Sequence, residues 1–137
     1  MIKVALSRTI LLVILVSMAS CVTVTISDVG KLRKGMTMEE ANATLPLPPR
    51  STFAVEMNDR NVKVQVCTYR LSSGDYSSDY FLAFRDEKLI YWGYPHEFAR
   101  STDPIINEIG EKAVAIQAQL DGEGKQQREQ ELQKPHR

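Results

Sequence analysis

Hydrophobic and polar positions divide the chain before any motif is considered. Ile10 to Val16 is an unbroken apolar run of seven residues, preceded by Lys3 and Arg8 and followed by Ser17-Met18-Ala19-Ser20 and Cys21. Beyond Cys21 the pattern turns periodic. Val22 to Ile26 alternates Val and Thr and fits either a tether or an edge strand. Ser27-Asp28 offers an N-cap for a short helical turn through Leu32 or Arg33. Thr37 and Glu40 form a capping-box pair after Gly35, and Met38, Ala41 and Leu45 then share one helical face. Pro46 stops that helix, and Leu47-Pro48-Pro49 keeps the exit extended.

Strand signals follow. Ser51 to Met57 predicts a strand and Asn58-Asp59-Arg60-Asn61 a turn. Val62, Val64 and Val66 alternate with polar residues, whereas Cys67, Tyr69 and Leu71 alternate in the opposite phase. Either both sheet faces are covered there or a bulge shifts the register. Ser72 to Ser78, with Gly74, reads as a polar loop, Asp79 to Arg85 as a strand, Asp86-Glu87 as a tight connection and Lys88 to Tyr94 as the next strand. Such short connections require antiparallel pairing.

Pro95 ends the sheet region in this reading. Asp103-Pro104 opens a helix, and Ile105, Ile109, Ala113, Ile116 and Leu120 form its apolar stripe. Gly110 inside the helix costs about 1 kcal/mol against Ala, which close packing against the sheet would explain. From Asp121 to Arg137 eight of 17 residues are charged and only Leu132 is large and apolar, so this tail predicts disorder or a frayed helix. The fold class expected is α+β and two-layer: two short N-terminal helices and a C-terminal helix on a three- to four-stranded antiparallel sheet. The organisation expected is a signal peptide at 1–20, a tether at 21–26, a folded domain at 27–120 and a polar tail at 121–137.

The N-terminal pattern is a secretory signal, and its apolar run is far short of the ~20 residues of a membrane span. Met18-Ala19-Ser20-Cys21 resembles a lipobox, the bacterial lipoprotein processing site. The resemblance implies cleavage before Cys21 and acylation of that residue, palmitate included. Several acyl chains are needed for stable anchoring, since a single one binds only marginally. Val22 and Thr23 follow, with no Asp of the kind that, by resemblance to enteric lipoproteins, favours retention at the inner membrane. The expected location is therefore the outer membrane, on its periplasmic face.

Processing also changes the composition. The whole chain of 137 residues is formally neutral, whereas loss of Lys3 and Arg8 leaves 15 basic against 17 acidic residues, net −2. Neither value suits a nucleic-acid binder. The second cysteine, Cys67, then has no intrachain partner and is expected to be a buried strand thiol.

Asp28-Val29, Lys31-Leu32-Arg33, Gly35-Met36-Thr37, Glu40-Ala41 and Leu45 together resemble the opening of the SmpA/OmlA, or BamE-like, lipoprotein domain. Val66-Cys67-Thr68-Tyr69-Arg70, Tyr80-Phe81-Leu82-Ala83-Phe84 and Lys88-Leu89-Ile90 resemble its strands. Leu45-Pro46-Leu47-Pro48-Pro49 stands where that family has Gly-x-Pro, which marks a divergent member. The resemblance implies an outer-membrane lipoprotein that supports β-barrel assembly or envelope integrity by binding a protein partner. A broader set with this fold, resembling the β-lactamase-inhibitor protein, implies the alternative of a periplasmic inhibitor or ligand-binding module.

The chemistry points away from catalysis. His96 and His136 have no Cys or second ordered His at ligand spacing, so neither a metal nor a cofactor is expected. Glu39 and Glu40 are accounted for by capping and the helix dipole. His96 with Glu97 is a weak acid/base candidate without further polar partners. The surface candidate is aromatic: Tyr91, Trp92, Tyr94 and Phe98 cluster after the last strand and are residue types favoured at protein interfaces. Strand alternation nevertheless puts Tyr91 on one face and Trp92 and Tyr94 on the other. The expectation is a lipid-anchored, non-enzymatic envelope protein that acts as an interaction module.

Overall fold

The structure, a computed structural model, describes residues 22–135. The signal peptide, the lipobox cysteine Cys21 and His136 lie outside the described residues. Four strands, β1 (Ser51–Met57), β2 (Val62–Ser73), β3 (Tyr76–Arg85) and β4 (Lys88–Gly93), form one antiparallel meander in chain order. Its helices are α1 (Ile26–Val29), α2 (Met38–Thr44), α3 (Pro95–Arg100) and α4 (Pro104–Gln133).

The first two turns have the residues their geometry demands. Asn61 closes the β1–β2 turn at φ 51°, in the left-handed region that Asn tolerates. Gly74 stands at φ 59° in the two-residue β2–β3 turn, as a type II′ turn requires. The segment predicted as a loop at 72–78 is thus mostly strand, with only Gly74 and Asp75 left between β2 and β3. Asp86 and Glu87 both adopt positive φ, 51° and 65°, as a type I′ turn does. Glu carries a steric cost there that Gly does not. Asp86→Asn with Glu87→Gly should therefore raise stability by about 1 kcal/mol, read as a higher urea midpoint at unchanged slope.

The α+β class, the four-stranded sheet and the C-terminal helix match the expectation. The number of layers does not: helices cover both faces of the sheet. Cys67, Tyr69, Leu71, Tyr80, Leu82, Phe84 and Leu89 pack under α1 and α2. Val55, Met57, Val62, Val64, Val66, Phe81 and Ala83 pack under α3 and α4. The change of phase along β2 is hence a change in which face is more deeply covered, and its pairing with both neighbours runs without a slip. The bulge sits on β4 instead. Ala83 pairs with Tyr91 but Phe84 with Leu89, so Ile90 is the extra residue and both Ile90 and Tyr91 face α3 and α4.

The expected tether is largely docked. Val24 is 1% exposed, bridges Leu71 in parallel, and accepts a hydrogen bond from the Ser72 amide at 2.9 Å. The first cap moves with it, from the predicted Ser27-Asp28 to Thr25. The Asp28 carboxylate accepts from the Thr25 amide at 2.9 Å and from its hydroxyl at 3.0 Å. At α2 the Thr37 hydroxyl accepts from the Glu40 amide at 3.1 Å, as predicted. Gly35, at φ 91°, donates to the Leu89 carbonyl at 2.8 Å, and Leu89 donates back to Met36 at 2.7 Å. That exchange covers the start of the outer edge of β4.

On the other face, α3 has no counterpart in the sequence expectation, in which Pro95 only terminates a strand. Pro95 also occupies the first turn of a helix, where its missing N–H costs nothing. The buried stripe of α4 is Ile106, Ile109, Gly110, Ala113 and Gln117. Ile105 and Ile116 of the predicted stripe are half-buried, and Leu120 is exposed. Within the same layer Thr68 is fully buried, and its hydroxyl has no partner among the described residues. Thr68→Val removes an unsatisfied group at nearly constant volume and should stabilise by roughly 1 kcal/mol, seen as a higher melting midpoint.

Where a disordered or frayed tail was expected, α4 continues to Gln133. Arg50 ties this extension to the sheet: it bonds Asp79 at 2.8 Å and also Asp121. Desolvation alone would raise the Asp121 pKa, but hydrogen bonds from Arg50 and Gln117 and the charges of Arg50 and Arg70 outweigh it and hold the carboxyl below the ordinary range. A depressed folded pKa means that the contact is fully present above the unfolded value and is lost as pH falls through the folded one. The stability difference between the protein and Asp121→Asn should therefore shrink below about pH 4. Surface pairs of this kind contribute about 0.2–1 kcal/mol, so denaturant titrations at pH 7 and pH 3 are the measurement.

Candidate functional site

The four aromatic candidates do not form one surface. Phe98 is fully buried, edge-on to Phe81 and Tyr91 with ring centroids 5.9 and 4.7 Å apart, and is a core residue, not a partner-binding one. Tyr91 is half-buried beside it, its hydroxyl donating to the Glu97 carbonyl at 3.3 Å. Trp92 and Tyr94 pack against the opposite core. Tyr94 stands edge-on to Tyr80 at 5.0 Å and stacks on exposed His96 at 5.5 Å. Burial, followed by the charge of Glu97, pushes the Tyr80 hydroxyl well above its usual pKa.

The other polar candidates are accounted for structurally. The Glu97 carboxylate accepts from the Tyr94 amide at 3.2 Å, which makes it the helix cap of α3 rather than a partner for His96. Cys67 is fully buried 3.7 Å from the Thr52 hydroxyl, and burial raises its thiol pKa, so the neutral thiol predominates. Among the described residues no group of three or more His, Cys, Asp or Glu is placed to hold a metal ion, and no helix is long and apolar enough to cross a membrane.

The informative feature is a groove of about 730 Å³ beside α2. Helix α2 has seven residues and spans about 10 Å, whereas β2 has twelve and spans about 40 Å. The short helical layer therefore covers only the Cys67–Leu71 half of β2 on this face. Thr52, Lys63, Gln65 and Phe84 form the floor, Thr37, Met38 and Glu39 one wall, and Asp86 and Glu87 the rim. Register puts Thr52 opposite Cys67, and Glu56 opposite Lys63, on that same face.

Its chemistry is mixed and directional. Met38 and Phe84 supply an apolar base, and Glu39, Asp86 and Glu87 an acidic wall and rim. Lys63 is the basic lining residue and lies 3.8 Å from Glu56, both exposed to solvent, so this pair contributes little. The groove adjoins β1, an edge strand with no strand beyond it among the described residues. Edge strands present unpaired backbone groups that accept an extended segment. Of those carbonyls, the one of Glu56 is taken by the Lys112 ammonium at 2.8 Å.

The turns at 58–61 and 86–87 stand at the groove end of the sheet, and the β2–β3 turn at the other end. Val24 docks beside Leu71, toward the β2–β3 turn. The groove draws its lining from four separate stretches of chain, and no sequence pattern marks it. No protein-family model, curated protein or solved structure matches the chain.

Proposed function

We propose that the protein is a lipid-anchored, non-enzymatic module of the bacterial cell envelope that binds a protein partner through the groove beside α2. The observation that carries this reading is the groove of about 730 Å³ that the short helix α2 leaves open beside the edge strand β1. The lipobox-like Met18-Ala19-Ser20-Cys21 enters the fold through Val24, whose parallel bridge to Leu71 runs the residues before it away from the β2–β3 turn.

The chemistry of the groove favours a peptide segment over a small metabolite. Its apolar base takes one or two side chains, its acidic rim suits a cationic residue, and the adjoining edge of β1 offers backbone hydrogen bonds. The resemblance of the helix and strand motifs to the BamE-like family supports the narrower version, in which the partner belongs to the outer-membrane β-barrel assembly machinery.

Site-specific photo-crosslinking in intact cells tests the reading. A crosslinking residue at Met38 or Gln65 should yield one discrete adduct, and the same residue at Asp59 should not. Identical adduct patterns from all three positions would remove the groove from consideration. An adduct that contains a soluble periplasmic enzyme would favour the inhibitor alternative. Labelling with a radioactive fatty acid tests the anchor separately, since Cys21→Ala must abolish incorporation.

A further inference from the structure

We infer that the cleft between the second half of α4 and the outer part of β2 and β3 binds a carboxylate carried by a peptide. This cleft lies on the opposite face of the sheet from the groove beside α2, and its chemistry is independent of what the groove binds.

Both walls change from apolar to polar at the same level. On α4 the inward stripe passes from Ile106, Ile109 and Ala113 to Gln117, Asp121, Gly124 and Arg128, whose spacings of 4, 3 and 4 keep to one helical face. On the facing side of β2, Val62, Val64 and Val66 give way to Thr68 and Arg70. On β3, Phe81 is preceded by Asp79 and Ser77 on that side. Apolar packing ends at Thr68 and Gln117, both buried. Beyond them a cleft of about 710 Å³ opens between helix and sheet, lined by Arg50, Arg70, Leu120, Asp121, Gly124 and Arg128.

Three guanidinium groups meet two carboxylates there. Arg50 bonds Asp79 at 2.8 Å and also Asp121, which accepts from the Gln117 side-chain amide at 3.1 Å. Arg70 lies 3.8 Å from Asp79, and its Nε donates to the Ser77 hydroxyl at 3.2 Å. These contacts hold two of the arginines in place. Arg128 has no ion pair among the described residues. The cleft therefore keeps one positive charge in excess, which a monoanion balances. A carboxylate also matches the guanidinium fork, from which it takes two parallel hydrogen bonds. A phosphate dianion would set a second negative charge beside Asp79 and Asp121. Gly124 recesses the helical wall near Arg128, since a Cβ there would meet nothing within 4 Å. Leu120, 39% exposed, adds an apolar surface for a side chain next to the carboxylate, which favours a peptide over a small free acid.

NMR titration of the isotopically labelled, processed chain in uncharged detergent micelles at low salt tests the site. The probes are acetyl-Ala-Ala-Leu with a free C-terminus, the same peptide amidated, acetyl-Ala-Glu-Leu amide and inorganic phosphate. The free-acid peptide should shift the Nε–H signals of Arg50, Arg70 and Arg128 with saturation at millimolar concentration and leave that of Arg60, in the β1–β2 turn, unmoved. Arg128→Gln and Gly124→Leu should each weaken this binding by about threefold or more without lowering the melting midpoint. Saturation by the Glu peptide amide in place of the free acid supports the carboxylate site and assigns it to an acidic side chain rather than a chain end. Equal binding of the amidated Ala-Ala-Leu peptide, phosphate binding at least as tight as that of the carboxylates, unchanged binding by both variants, or no saturable shift at the three arginines overturns the proposal.

Discussion

Phe98→Ala should destabilise the protein by about 3–5 kcal/mol, well beyond what truncation of a surface side chain costs. Phe98 is fully buried where α3 and α4 meet the sheet. Its ring stands edge-on to both Phe81 and Tyr91, so truncation loses two aromatic contacts in addition to the buried area. The backbone around it is also committed: Asn107 donates from its side-chain amide to the Phe98 carbonyl at 2.7 Å and to the Ser101 carbonyl at 2.8 Å. The cavity left by the ring therefore has little freedom to collapse. For a domain of this size each kcal/mol moves the melting midpoint by roughly 4–8 °C, so a fall of more than about 10 °C is expected. A midpoint within about 2–3 °C of the parent would show that Phe98 is not the centre of that layer. Any loss of partner binding in this variant would follow from loss of the fold.

Gly110→Ala should destabilise as well, against the ordinary helix preference. A Cβ on Gly110 would lie 2.4 Å from the Cβ of Phe98 and 3.1 Å from its Cγ. The nearer atom belongs to the root of the side chain, which no rotamer change can move. The helices must separate instead, at a cost of about 1–3 kcal/mol for overpacking, which exceeds the gain of about 1 kcal/mol that Ala brings to a helix interior. Gly122 and Gly124 provide the control in the same helix. Nothing lies within 4 Å of a Cβ at either position, so Gly122→Ala and Gly124→Ala should each stabilise α4 by up to about 1 kcal/mol. Chemical denaturation of the three variants should give opposite signs for one and the same substitution. Three shifts of the same sign would contradict the close approach of α4 to Phe98.

The two results together explain why the aromatic residues after β4 suggest a surface when only their order in the chain is known. Tyr and Trp near a strand end are common at interfaces, and position alone does not tell an interface from a core. What decides here is α3. Pro95 starts this short helix, which turns Phe98 inward beneath α4 and leaves His96 outside. The groove is illegible in the sequence for a different reason. Its lining comes from the start of α2, three strands and a turn, none of which is unusual taken singly. The polar stretch at 72–78 has the composition of a loop because Ser, Gly and Asp dominate it. Cross-strand pairing holds it extended although most of its side chains face water.

Local signals, by contrast, are legible in the residues that produce them. The Thr37 cap, the Asn58–Asn61 turn, the Asp86-Glu87 connection and the Asp103-Pro104 helix start each depend on contacts within a few residues. So does antiparallel pairing, because connections this short permit nothing else. The sequence alone therefore determined most of the elements, their order and the α+β class. Only the tertiary structure decided that helices lie on both sheet faces, that Val24 is docked, that α4 continues to Gln133 and that part of one sheet face stays open. Those outcomes turn on which surfaces remain uncovered once a seven-residue helix meets a twelve-residue strand. That mismatch is between segments distant in sequence, and no short window along the chain contains both.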